Sequence, residues 1–470
     1  MSTQLEEAEQ AGGSTHRAAT LTPQASRLLE GPVLPTLLRL AAPTVALMLH
    51  QGVVAAGEAA FVGRLGSDAL AGVSLSFPLV MLMTTLSAGA YGGGVASGVA
   101  RALGAGRDDD ATRLAGTALG MSAILGLAST AAMMLFGPAF YAALGATGPA
   151  LEAAVLYSDV LFLGAVPSWL FNAAASVLRG GGNTAYPAAA GAVGGVVTLA
   201  ASPLVIFGAG PVPGLGVAGA AWAVVGYNVA RSVVLLRAVW ASGPPTRPGF
   251  RSLVPRWSYA SGILRVAVPS AASTVLTNLT FIILTALVAP FGTEATAGYG
   301  AAGRLEYLLI PVVFGVGSAL VPLVAASDGA GDIGRVRRLT RAGAALGAGT
   351  CGLVGFTAAL FPSAWMALFT SDPAVAGLGG AYLVRVGPAY AFLGLGLALY
   401  FAQGRGRTAQ PLLATLTRLL VAGALGALGL GVFGWGIDSL FALMACGLVL
   451  YGMVMVAVMR RELWFYAGGR

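Results

Sequence analysis

Two short stretches decide the fold: "GGGNTAYP" at residues 180–187 and "GRGRTAQP" at residues 404–411. They share the pattern G-x-G-x-T-x-x-P. Two further pairs are displaced along the chain by almost the same amount, "LRLAAP" (38–43) with "LRVAVP" (264–269) and "GSDALAG" (66–72) with "GTEATAG" (292–298). Three matches at nearly one offset make the chain a duplication. The glycines resemble a phosphate cradle only superficially, because no strand precedes either loop and no Lys-Ser/Thr follows. A tight turn that reverses two helices, with Pro187 or Pro411 starting the next one, accounts for them.

The composition says what those helices cross. The 470 residues are 57% hydrophobic and only 9% charged, with a mean hydropathy of +0.82, whereas soluble domains carry about 25% charge. The 69 glycines and 24 prolines agree with close-packed membrane helices. Apolar runs long enough to span a bilayer fall at 39–63, 69–98, 112–136, 153–178, 185–207, 217–240, 260–290, 296–326, 339–361, 376–403, 409–433 and 438–459. The predicted fold is an all-α integral membrane protein of twelve transmembrane helices in two pseudo-symmetric six-helix bundles.

All 26 basic residues are arginine. They concentrate in alternate loops: Arg101, Arg107 and Arg113, then Arg179, Arg237 to Arg265, Arg335 to Arg341, Arg405 and Arg407, and Arg460, Arg461 and Arg470, against Arg64 alone in the opposite set. The positive-inside rule then places both termini in the cytoplasm of a cell that carries the protein in its inner membrane. The formal charge of +8 therefore reports topology and implies no nucleic-acid partner. Cys351 and Cys446 match no redox or metal spacing, and His16 and His50 offer no metal site, so no cofactor is expected.

Because each half has an even number of spans, the repeats run parallel about an axis along the membrane normal. Transporters of that build bind between or within the lobes near the midplane. The expected organisation is a disordered cytoplasmic tail (1–32), an N-terminal lobe (33–240), a linker around "ASGPPTRPGFRSLVPRW" (241–258), a C-terminal lobe (259–460) and a short tail (461–470).

At this level the chain resembles the multidrug and toxic compound extrusion (MATE) transporters over roughly residues 33 to 460. The resemblance rests on "FVGRLGSDALAG", "LGAG", "LRGGGNTAYP", "PLVIFGAG" followed by "GVAGAAWA", "GRLEYLLIP" and "LFTSDPAV" leading to "YLVRVGPAY", in order. It implies an antiporter that exports organic cations or other amphipathic compounds against inward H⁺ or Na⁺.

"VVAAGEAAFVGRLG" (53–66) holds one carboxylate, Glu58. Where the family's bacterial members usually carry an aspartate thought to bind the coupling ion, this chain is one methylene longer. The residue reading agrees: a charge deep in hydrocarbon costs about 2.5 to 3.5 kcal/mol on insertion scales, so intramembrane acids face cavities and mark ion paths. Gln51 lies on the same helix face. The alternative is an interfacial acid reaching water or Arg64. The Asn and Asp that some members carry on span 5 are Thr198 and Ser202 here, which still offer oxygens but do not titrate. The coupling ion is left as H⁺ or Na⁺, with the lone acid favouring H⁺.

Other polar groups in the spans are candidates for the substrate cavity or for gating: Asn172, Asn278, Arg304, Glu306, Asp159 and Arg385. Arg304 and Glu306 point to different helix faces, so each is expected to find an interhelical partner. Asp159 and Arg385 occupy similar places in the two repeats and could pair across the lobes. Arg418 reads as structural, bonded to carbonyls or snorkelling. Met81, Met83, Tyr91, Tyr299, Tyr307, Tyr390 and Tyr400 either line a cavity for cationic compounds or pack in the core.

The expected function is export of small amphipathic, cationic compounds in exchange for H⁺ or Na⁺ by alternating access, with the small-molecule substrate and the lipid bilayer as partners and no obligate protein partner. The alternatives are a lipid-linked saccharide flippase of the same broad superfamily and an uncoupled facilitator. No clustered catalytic set suggests an enzyme.

Overall fold

The structure, a computed structural model, describes residues 23–143, 147–209, 212–243 and 245–465. Apolar sequence with no water to bond to must satisfy its backbone internally, and helices do so within one segment. Twelve spans result: Val33–Gly63, Asp68–Gly104, Asp108–Ala143, Gly148–Leu163 with Ala165–Gly180, Ala185–Phe207, Gly216–Ala241, Trp257–Phe291, Thr293–Gly329, Ile333–Leu360, Pro373–Arg405, Ala409–Phe433 and Ile437–Arg461. They are numbered 1 to 12 below. Each coincides with a predicted run, extended mostly at the ends. Among the described residues the one strand pairing is a two-residue antiparallel ladder, Gly208–Ala209 with Val212–Pro213, after span 5.

The duplication is visible in the backbone. Gly182 and its repeat equivalent Gly406 have φ of 78° and 71°, and the equivalent pair Gly66 and Gly292 have φ of 120° and 106°. These turns need a left-handed residue, which only glycine supplies without steric cost. Span 4 bends by 48° at Gly164. Its counterpart, span 10, breaks into a 3₁₀ turn at Gly387–Ala389, where Pro388 withholds a backbone donor.

Each lobe has its own core, one around Phe162, Trp169 and Phe171 and one around Tyr382, Tyr390 and Phe441. The first halves of spans 1 and 7 cross over. Leu37 and Leu40 of span 1 pack with Leu320, Leu339 and Phe401 of the other half, while Ile263 and Ala267 of span 7 enter the N-terminal core.

The lobes are joined near the end of the bundle that carries the linker. Gly104 lies against the Ala326 carbonyl and Gly329 against that of Arg101, with no room for a Cβ at either. Arg101 Nη2 donates to the Gly404 carbonyl at 2.6 Å and its Nε lies 3.7 Å from Asp328. Tyr259 Oη bonds Asp110 at 3.0 Å. Small residues allow this approach of helix on helix.

One expectation is corrected. Residues 23–32 are not a disordered tail: Pro23–Leu29 is helical, with Ala25 and Leu28 buried. The carbonyls of Leu28, Glu30 and Gly31 accept bonds from the Arg335 guanidinium at 2.9–3.2 Å. An apolar pair on a short amphipathic turn, met by a cation, orders a segment whose composition is polar. Residues 1–22 and 466–470 lie outside the described residues. The linker also packs: Thr112 Oγ1 donates to the Pro245 carbonyl at 2.6 Å, and the 3₁₀ turn Phe250–Leu253 sits on Gly116 and Gly120 of span 3.

Candidate functional site

Spans 1 and 5 run side by side in the same direction: Leu47 meets Gly191, His50 meets Gly195 and Gly57 meets Leu199. Glycines on span 5 let span 1 sit close, and this register brings Glu58 to the level of Leu199 and Ser202, toward the end of the bundle away from the linker. Glu58 is half-buried. Among the described residues it has no ion pair and no hydrogen bond. Arg64, its alternative partner, instead lies 5.9 Å over the Phe61 ring.

Tyr157 of span 4 is within electrostatic reach of Glu58 and of Tyr141. In this half of the lobe the Tyr141 and Ser158 hydroxyls, and that of Ser202, are buried with no partner. Thr198 bonds back to the Gly194 carbonyl at 2.8 Å. Buried polar atoms are rarely left unpaired, so these hydroxyls and the unpaired carboxylate mark this half of the lobe as one with chemistry to spare for a proton or a small cation. Gln51 is half-buried on the same span.

The C-terminal lobe holds a different charged centre. Glu306 of span 8 and Arg418 of span 11 form a buried pair at 3.0 and 3.3 Å. Arg418 also lies 5.3 Å over Phe281. The expectation of an interhelical partner for Glu306 holds, and the partner is the arginine expected to bond carbonyls or snorkel. A neutralised pair held on both sides favours a structural role over binding.

The remaining candidates scatter. Asn172 Nδ2 donates to Ser87 Oγ at 2.8 Å and ties span 4 to the π-helical turn of span 2 (Thr85–Tyr91). Asn278 is exposed and bonds its own helix at Thr274. Arg304 lies 5.2 Å over Phe369. Asp159 and Arg385 do not pair across the lobes here: Arg385 bonds Asp438 of span 12 at 2.9 Å, because the start of that helix puts an acid beside it within one lobe. Tyr91, Tyr299 and Tyr390 are core residues. Tyr307 is exposed and stacks on Phe281, and Tyr400 reaches a recess between the lobes.

That recess was not foreseen from sequence. It lies where spans 2 and 4 of one lobe face spans 8 and 10 of the other, and Gly92, Gly93, Phe314, Ser318, Arg179 and Gln403 line it. Position in the sequence makes Arg179 a loop charge, but it belongs to the last turn of the second segment of span 4. The available signal was the offset between the two G-x-G-x-T-x-x-P loops, which makes Arg179 the counterpart of Gln403.

The family model described as MatE matches residues 43–204 and 269–428. A Shewanella oneidensis protein named "FAD transporter" is 28% identical over 370 residues, covering 78% of this chain and 81% of the relative. A Deinococcus radiodurans protein named "Probable multidrug resistance protein NorM" is 29% identical over 448 residues, 90% of this chain and 94% of the relative. A crystal structure of MATE in the straight conformation superposes with a TM-score of 0.85 at 24% identity, covering 96% of this chain and all of that one, a likeness of fold.

Proposed function

Because this chain belongs to the MatE family, a family of multi-pass membrane transporters, we propose that it is a secondary active exporter of small amphipathic organic compounds. Export runs in exchange for H⁺ or Na⁺ by rocking of the two lobes. The observation that carries the coupling role is Glu58: an acid on span 1 with no protein partner among the described residues, in a lobe that also holds idle hydroxyl oxygens. Charging or neutralising it changes the preferred packing of span 1 against span 5, and that difference between states is what ties ion movement to the lobes. With one acid and, among the described residues, no second carboxylate paired with it, H⁺ is the favoured ion, with Thr198, Ser202 and Gln51 as supporting oxygens.

The concentration of arginines at the linker end supports a cytoplasmic placement of that end and of both termini, so the lobes are closed toward the cytoplasm. A cationic cargo is the reading that the family resemblance brings. A second reading, cargo bearing an acidic group, is favoured by the arginine in the inter-lobe recess and by the relative named for FAD.

The test is export of a fluorescent amphiphile from proteoliposomes under an imposed pH or Na⁺ gradient. Accumulation driven by one gradient and abolished by its ionophore supports the reading. Dye movement at equal rate with no gradient contradicts it and identifies a facilitator.

A further inference from the structure

We propose that the recess on the pseudo-two-fold axis is an anion subsite, in which Arg179 and Gln403 hold a carboxylate, phosphate or sulfonate group of the exported compound. The subsite rests on the reading of the chain as an exporter. Its position follows from the duplication. Arg179 and Gln403 each precede the glycine that opens a G-x-G-x-T-x-x-P loop, and Gly92 and Ser318 stand at the same offset as the other repeat pairs. Equivalent residues of the two halves therefore face each other across the axis. Only one half supplies charge.

Arg179 lies beside Gly92, where a Cβ would come 3.4 Å from its Nη2. Its one protein bond among the described residues is to Ser176 Oγ, one turn back, at 2.7 Å. Among those residues no carboxylate pairs with it. A guanidinium has five donors, and this one, half-buried with a single neutral partner, leaves most of them free for an anion. Arg418 in the C-terminal lobe, by contrast, is neutralised by Glu306.

Gln403 faces the same recess from the other lobe. It is 2% exposed, bonds Ser270 Oγ through Nε2 at 3.1 Å, and its Oε1 has no partner. Ser270 Oγ now donates to the Val266 carbonyl at 2.8 Å, and if its one proton swings to Gln403 the amide can be turned over, the Val266 carbonyl keeping the Thr408 Oγ1 bond at 3.0 Å. Nε2 then donates into the recess. The missing side chains of Gly92 and Gly93 let the Ser176 hydroxyl, the Arg179 guanidinium and the Gln403 amide close on span 2 from both lobes. An anion seated there touches both lobes at once, so its arrival and departure depend on how they are apposed.

The test is binding by the purified full-length protein in detergent, by isothermal titration with three naphthalene compounds that differ in one group: a phosphate ester, a hydroxymethyl and a trimethylammonium. Wild type should bind the phosphate ester about tenfold or more tightly than the neutral compound, the size of one charge-assisted hydrogen-bonded contact. Arg179→Gln should erase that preference, and Arg179→Lys should keep part of it. Gln403→Glu, which leaves the arginine but supplies it with a carboxylate, should also erase it. Equal binding of all three compounds by wild type, or an equal loss for all three in Arg179→Gln, overturns the proposal. Preference for the phosphate ester in a protein that exports none of the three supports the subsite while removing the export reading.

Discussion

Replacing Glu306 with Gln strands the Arg418 charge in the C-terminal core. Both side chains are buried, 4% and 7% exposed, with contacts of 3.0 and 3.3 Å. Removing one partner of such a pair costs about 3–5 kcal/mol, because the remaining ion has lost its compensation and has no water. Replacing both by apolar or neutral groups of similar volume recovers most of that loss. Cys351 supplies the assay. It is fully buried in the same core as Tyr382 and Tyr390 and within electrostatic reach of Glu306, so a thiol reagent reaches it only when that core opens. With Cys446 changed to Ser, the labelling rate under native conditions follows the open population. Glu306→Gln should raise it roughly 100- to 1,000-fold, the lower part of that energy range converted to a population ratio. Glu306→Gln with Arg418→Met should return it to within about tenfold of wild type. A single variant that labels at the wild-type rate refutes the burial argument, and a double variant as labile as the single one refutes the assignment of the cost to a stranded charge.

Arg335→Ala removes three carbonyl bonds that hold the segment around the end of Pro23–Leu29. Trypsin should then cut after Arg27 at least tenfold faster than in wild type, since hydrogen bonds to a charged group are worth about 1.5–3 kcal/mol each. Asp438→Asn breaks an ion pair whose side chains are 36% and 65% exposed. Such pairs contribute about 0–1 kcal/mol, so its thermal stability should stay within a few degrees of wild type, and a large loss would show that the pair is shielded. Gly406→Ala forces an alanine to φ of 71°, at a cost of about 1–2 kcal/mol, and its equivalent Gly182→Ala should lower the unfolding midpoint by a similar amount.

Much of this architecture was legible in the chain itself. Apolar runs of bilayer length fix the spans because a membrane allows little else, and the G-x-G-x-T-x-x-P loops fix the repeat because a left-handed turn restricts them to glycine. What was hidden depended on contacts between distant segments. Glu306 could be expected to have a partner, but that partner lies far along the chain on span 11. Arg179 stands at the end of a predicted span, where position alone reads as a loop charge, and only superposing the two repeats places it opposite Gln403. The helix Pro23–Leu29 was missed because its order comes from the surface it docks on. Glu58 stands out by rarity, an acid among apolar residues, while Tyr157, within its electrostatic reach, is ordinary in sequence and gains meaning from the packing of span 4.

The most direct measurement compares wild type with Glu58→Gln in two modes on the same proteoliposomes, uphill export under a pH or Na⁺ gradient and downhill exchange of labelled for unlabelled cargo with no gradient. The account predicts that exchange survives while uphill export falls to the level of vesicles with no gradient. Uphill export by Glu58→Gln at the wild-type rate would contradict it and place the coupling of this transporter at another residue.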